Sequence, residues 1–313
     1  MVRERKWIGN FAPDARTSEV AARTLRLRLT AVEHYLPLAA EKSSENVEHV
    51  HQLRVATRRA MAAAKLYKDM LPRRRGEKMR NALKQIRQAA GEARDYDVLH
   101  HRIAEENSSP QAVRFLEIIR QRRCEAQQPL LEVFHELMDN DTFPGHISKL
   151  LSRVRPRSKK ANRRDPLFGE WARENLRPFL KKFFKAATID TSDLQALHQF
   201  RLRGKQLRYA MELLAGAFPP AFRKKLYPVV EELQEKLGAV NDHVTAKPRF
   251  QQWIEDIHEP EIVDYLRILL DQEGLQLEQS LQVYVAWWTW ERQRDLQRRF
   301  DKMLSETGEA VGA

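Results

Sequence analysis

A short pattern near residue 50 returns near residue 200. His51-Gln52-Leu53-Arg54 reappears as His198-Gln199-Phe200-Arg201, 147 residues later. The same offset carries Arg58 onto Lys205, Leu66 onto Leu213, Leu71-Pro72 onto Phe218-Pro219, Gly91 onto Gly238 and Asp95 onto Asp242. One constant shift across two helices and the turn between them argues for a duplicated supersecondary unit. Each copy must then bury its own apolar face.

Apolar residues recur at spacings of three and four almost throughout, and no stretch alternates with period two. Gly is scarce, 11 of 313 residues, while Ala, Leu, Arg, Glu and Gln dominate; these lose little side-chain freedom in a helix. The spacing predicts helices near 14–40, 45–71, 76–106 and 110–139, then near 165–188, 192–217, 221–257 and 260–306. Short connections make neighbours antiparallel, so the expected fold is all-α, a four-helix bundle at 14–140 and another at 166–306. A basic linker, 141–165, joins them. A duplicated bundle can pack about a pseudo-two-fold axis with equivalent faces together. No secretory leader is visible behind Met1-Val2-Arg3-Glu4-Arg5-Lys6, and no apolar run is long enough for a membrane span. The single cysteine, Cys124, forms no disulfide within one chain. A cytoplasmic location is therefore expected.

The net charge of +12 needs dissection. Eight basic residues and no acidic one lie between Lys149 and Arg164, so most of the excess sits in the linker. Local arrangement is more informative. Residues at i, i+3, i+7 and i+10 share a helix face. That face holds His51, Arg54 and Arg58 in the first repeat, with Arg59 beside them, and His198, Arg201, Lys205 and Arg208 in the second. From Val50 to Lys68 there are five Lys or Arg and no acid; from Leu194 to Met211 there are four and none. Solvated helices ordinarily mix signs, because like charges at i,i+4 repel. A one-signed stripe points to an anion that neutralises it. The next helix adds Arg80, Lys84, Arg87 and Arg94, spaced around Gly91; the second repeat has Tyr227, Glu231, Gln234, Gly238 and Asn241 instead. The repeats are thus expected to contribute unequally.

Any one of these cations, taken singly, reads as an ordinary surface residue, and either histidine as a satisfied one. It is their recurrence at matched spacing that favours anion binding. No catalytic residue, metal site or cofactor motif emerges. His49 and His51 point apart on a helix, as do His100 and His101, and HExxH, P-loop, GxGxxG and GxSxG patterns are absent. Asp95, Asp97 and Asp242 are expected to bond backbone or pair with arginine. Trp287, Trp288 and Trp290 read as core, with a stacking platform for bases as the lesser option.

The paired motif resembles the CHAD family, the conserved histidine α-helical domain. Its hallmark is His-x-x-Arg-x-x-x-Arg/Lys opening one helix and Leu-Gly-x-x-Arg-Asp in the next, the unit occurring twice. Here these read His51 to Arg58 and Ala90-Gly91-Glu92-Ala93-Arg94-Asp95, then His198 to Lys205 and Leu237-Gly238-Ala239-Val240-Asn241-Asp242. Ala90 and Asn241 depart from the pattern. The resemblance implies two four-helix bundles around a basic central groove or pore, binding of inorganic polyphosphate, and residence at polyphosphate granules. Many relatives carry an N-terminal triphosphate tunnel domain; this chain has no room for one and is expected to be a stand-alone version.

Polyphosphate has no bases to read, only a charged backbone to track. Arginine grips phosphate oxygens in two-point contacts and lysine acts as a point charge. Arg54, Arg58, Arg201, Lys205 and Arg208 are expected as main contacts, Arg59, Lys84 and Arg87 as supplementary ones. His51 and His198 would donate to phosphate or orient the arginines. Reversing Arg54 and Arg201 together is expected to abolish binding without loss of helix. Nucleic acid, as a weaker polyanion, is the alternative ligand; a polyphosphate-processing enzyme and a protein-recruiting scaffold are further ones. The pattern carries no indication of oligomeric state.

Overall fold

The computed structural model describes residues 6–9, 11–106, 108–138, 142–155, 165–188 and 191–305. Among these the chain is helical without a strand; a lone antiparallel bridge joins Arg16 and Leu167. The chain divides into two compact units, Met1–Ile8 with Asp14–Phe168, and Gly9–Pro13 with Gly169–Ala313.

The first unit runs α1 (Thr17–Glu41), α2 (Glu48–Leu66), α3 (Arg73–Ala89), α4 (Gly91–Glu106), α5 (Pro110–Glu125), α6 (Gln128–Met138) and α7 (Thr142–Leu151). The second runs α8 (Phe168–Ala187), α9 (Leu194–Leu214), α10 (Tyr227–Asp256), α11 (Pro260–Trp287) and α12 (Trp290–Ser305). Two helix starts are capped by a side chain. Ser109 accepts from the Ala112 amide at 3.1 Å ahead of Pro110, and Asp193 accepts from the Gln195 and Ala196 amides.

The duplication is visible element by element. The 3₁₀ turn Lys68–Met70 after α2 returns, 147 residues on, as Ala215–Ala217 after α9. At the same offset α1 matches α8, α3 and α4 together match α10, α5 and α6 match α11, and α7 overlaps α12. Each repeat therefore has a fifth short helix beyond the four expected. In the first it occupies the start of the stretch read as linker, where Phe143, Ile147 and Leu150 are buried. In the second it follows a break after Trp288, with Thr289 Oγ1 accepting from the Arg292 amide at 3.3 Å. Arg157, Lys159, Lys160, Arg163 and Arg164 of the linker lie outside the described residues.

The first unit packs α1 along α2, and α2 against α3 and α4, with α6 and α7 closing over α1 and α3. Leu53, Ala56, Ala60, Leu83 and Ile86 are fully buried. In the second unit the rings of Phe183, Phe200 and Trp288 meet at 5.2 to 6.2 Å, so Trp288 is core, as expected. Trp287 stacks on Trp288 and lies under Arg292, and Arg294 covers the exposed ring of Trp290.

Each unit locks one helix pair with a buried polar contact, an arginine–aspartate ion pair in the first and a histidine–glutamate contact in the second. Arg123 Nε on α5 donates to Asp97 on α4 at 3.0 Å, and its Nη1 reaches Ser43 Oγ, tying in the α1–α2 connection. In the second unit His243 on α10 meets Glu273 on α11 at 2.7 Å. Removing one member of a buried pair strands the other charge in a poor solvent. Asp97→Ala is expected to lower the unfolding free energy by about 3 kcal/mol in urea titrations; a change below about 0.5 kcal/mol would show that Arg123 finds another partner.

Candidate functional site

On α2, the apolar side is set by Val50, Leu53, Ala56, Ala60 and Ala63, all buried. The spacing leaves His51, Arg54 and Arg58 on a neighbouring, half-buried strip beside the α3–α4 joint. That joint is a surprise. The stretch 76–106 reads as one helix, yet α3 ends at Ala89 and α4 begins at Gly91. Arg54 Nη1 donates to the Ala90 carbonyl at 3.1 Å and Nη2 lies 3.8 Å from Asp95. One guanidinium thus spans the break and ties α2 to both helices. A methyl at Gly91 would stand 3.3 Å from that Nη1, so glycine keeps the approach open.

Around Arg54 the structure gathers cations from three helices. Burial lowers its pKa, and Arg58, Arg94 and Arg87 add to the effect against the opposing pull of Asp95. It remains charged, since guanidinium titrates far above neutral. The His51 imidazole is pushed below its ordinary value, first by burial and next by Arg94; Glu48 opposes, and Arg58 and Arg54 reinforce. Arg54, Arg58, Arg87 and Arg94 therefore form one group of like charges, with the His51 imidazole held toward its neutral form among them. Arg94, on the sequence stripe but not singled out as a contact, belongs to it. Lys84 is exposed on the same helix as Arg87, and Arg59 is half-buried on α2. Among the described residues no carboxylate lies within ion-pairing distance of Arg58, Lys84, Arg87 or Arg94.

The second repeat keeps the frame and changes the charge. Arg201 Nη2 lies 3.8 Å from Asp242, matching Arg54 and Asp95. His198 Nδ1 is 2.7 Å from Asn241 Oδ1, the residue that stands where the first repeat has Arg94. Arg208 Nη1 lies 3.5 Å from Glu212, 4.0 Å from Glu231 and 3.4 Å from the Tyr227 hydroxyl, which itself donates to Glu212 at 2.8 Å. Burial would lower the Arg208 pKa, but Glu212, Tyr209 and Tyr227 outweigh it and raise the value. Burial and then Glu212 push the Tyr227 phenol far up, so it stays a donor. Lys205 sits half-buried one turn before Arg208. Hence Arg54, Arg201 and Arg208 each have an internal carboxylate, as the sequence did not foresee for Arg208.

Asp95, Asp97 and Asp242 all pair with arginines, as their sequence context suggested. Among the described residues no group of three or more His, Cys, Asp or Glu is placed to hold a metal ion, and no helix is long and apolar enough to cross a membrane.

A family model described as CHAD domain matches residues 23–251. The crystal structure of the CHAD domain from the plant Ricinus communis aligns with a TM-score of 0.72 at 19% identity, over 91% of this chain and 96% of that one. PptA from Streptomyces chartreusis aligns with a TM-score of 0.62 at 17% identity, over 88% of this chain and 99% of that one. No curated protein matches the sequence.

Because Arg54 bridges the α3–α4 joint, its loss should be felt in stability. Arg54→Ala is expected to lower the unfolding free energy by about 1.5–3 kcal/mol, as for a hydrogen bond from a charged donor. Lys84→Ala, at an exposed position, should change it by less than about 0.5 kcal/mol. Equal melting curves for the two variants would remove the bridging role.

Proposed function

The chain belongs to the CHAD domain family, and from that footing we propose that it binds inorganic polyphosphate without chemically altering it, through the cation cluster on α2, α3 and α4. One observation carries the reading. Arg58, Lys84, Arg87 and Arg94 come from three adjoining helices, and among the described residues no carboxylate lies within ion-pairing distance of these four. Like charges held this close raise the energy of the empty protein, and a phosphate chain running across them removes that repulsion. Arginine forks suit the paired oxygens of successive phosphates, and Lys84 adds a point charge at the exposed edge. Four charge-assisted contacts at ~1.5–3 kcal/mol each give roughly 6–12 kcal/mol before ordering is subtracted, a range that brackets the ~8 kcal/mol of micromolar binding, and a long chain adds further contacts. Arg54 holds the joint that sets this spacing. Granule residence would follow from such affinity.

A general polyanion binder is the second reading, favoured because every proposed contact is to a phosphate backbone, which nucleic acids share. An RNA or DNA ligand would be gripped by the same residues and would show the salt dependence of counterion release.

The test is titration of long-chain polyphosphate by calorimetry. The variant Arg58→Glu/Lys84→Glu/Arg87→Glu should lose at least 100-fold in affinity with its circular dichroism unchanged, and duplex DNA at equal phosphate concentration should fail to displace the ligand. Wild-type affinity in the folded triple variant, or free exchange with DNA, contradicts the specific reading. Release of orthophosphate with Mg²⁺ present would make the protein an enzyme instead. The same titration has a signed pH dependence. His51 has a lowered pKa in the free protein, and a bound phosphate raises it, so binding takes up a proton between the two values. Affinity should therefore rise as pH falls below neutrality, by roughly tenfold per unit of ligand-induced pKa change, and level off once free His51 is charged. A flat profile would remove His51 from the contact.

A further inference from the structure

We infer that the second repeat has been converted from an anion-binding face into a self-neutralised one, so that polyphosphate is held by the first repeat alone. The inference rests on the polyphosphate reading and assigns that binding to one of two homologous faces.

The observation is positional. At Lys65, Arg80, Lys84, Arg87 and Arg94 the first repeat carries five cations; 147 residues later stand Glu212, Tyr227, Glu231, Gln234 and Asn241, two acids and three neutral residues. Over these five positions the formal charge changes by seven, from +5 to −2, offset in part by Arg208 and Arg203 where the first repeat has Met61 and Ala56, while the apolar frame of the two repeats is kept.

Four of the five replacements have a defined polar partner; the buried Gln234 amide has none among the described residues and fills space instead. Glu212 is buried and accepts from Tyr227; the Arg208 guanidinium closes the trio, with Glu231 behind it. Arg208 stands where the first repeat has Met61, so the arginine and the acid that holds it arrive together. A cation neutralised by a buried acid and fixed by a phenol offers little to an external phosphate. Capturing it would strand Glu212 in the protein interior. Asn241 Oδ1 takes the Nδ1 of His198, so the imidazole that faces Arg94 in the first repeat is here satisfied internally. Gln234, in the place of Arg87, lies over Gly204, and any side chain at 204 would collide with its amide. Gly204 stands where the first repeat has Thr57, so this pair too has changed in concert. Arg208, Glu212 and Tyr227 are thus positioning residues for one another, not ligand contacts.

Alternatively these networks only add stability, and both faces still bind. Matched charge reversals on the full chain separate the two. Arg58 and Lys205 are equivalent positions on α2 and α9, so Arg58→Glu and Lys205→Glu introduce the same change in each repeat. Calorimetric titration with long-chain polyphosphate should show at least a tenfold loss for Arg58→Glu and less than a threefold loss for Lys205→Glu. A further variant, Glu231→Lys/Gln234→Arg/Asn241→Arg, restores the first repeat's residues to the second. It should raise affinity at least tenfold or add a second binding event. Equal losses for the matched pair, or a greater loss for Lys205→Glu, overturn the inference while leaving the polyphosphate reading intact. Absence of binding by the wild-type chain overturns that reading itself. Circular dichroism of each variant guards against misfolding, and the two single substitutions decide the matter if the triple variant does not fold.

Discussion

Mutual repulsion among cations is the constraint to which the first repeat is built. Arg58, Arg87 and Arg94 sit within the field of Arg54 on three helices, a placement that loosely packed helices would relax by drifting apart. Two things prevent that. The apolar side of α2 is buried against α3, with Leu53, Ala56, Leu83 and Ile86 out of solvent. Arg54 donates to the Ala90 carbonyl at the α3–α4 break and sits beside Asp95. The cluster is therefore organised before any ligand arrives, which reduces the ordering that binding would otherwise require.

The second repeat answers the same constraint differently. It retains the arginine–aspartate link from α9 to α10 at the same 3.8 Å separation, so the frame does not depend on the stripe. Its charges are instead resolved internally, by Glu212 and Glu231 around Arg208 and by Asn241 on His198. Homologous surfaces with one architecture thus carry opposite electrostatic designs. The arginine–aspartate link is common to both repeats, whereas Lys84, Arg87 and Arg94 have no cationic counterpart in the second.

Much of this was legible in the sequence, and the exceptions have identifiable causes. The constant offset exposed the duplication, and it extends to the 3₁₀ turns at Lys68–Met70 and Ala215–Ala217. The α3–α4 break was invisible, since Ala90-Gly91 breaks the helix while the equivalent Leu237-Gly238 lies inside the unbroken α10. Helix α7 was hidden because the basic residues after it made the whole stretch look like linker, although Phe143, Ile147 and Leu150 already had helical spacing. For Arg208 the signal was adjacent: the acid-free window of the second repeat ends at Met211, and the partner is Glu212. The role of Arg54 at a helix joint could not be read, because it depends on a carbonyl 36 residues away.

The central claim is that a phosphate chain lies across α2, α3 and α4 of the first repeat. A crystal structure of the chain soaked with polyphosphate tests it most directly. The account predicts ordered phosphates within hydrogen-bonding reach of Arg58, Arg87 and Arg94, with Lys84 at the outer edge and no phosphate displacing Glu212 from Arg208. Phosphates ordered on the second repeat alone, or scattered over the surface with those three arginines unoccupied, would contradict it.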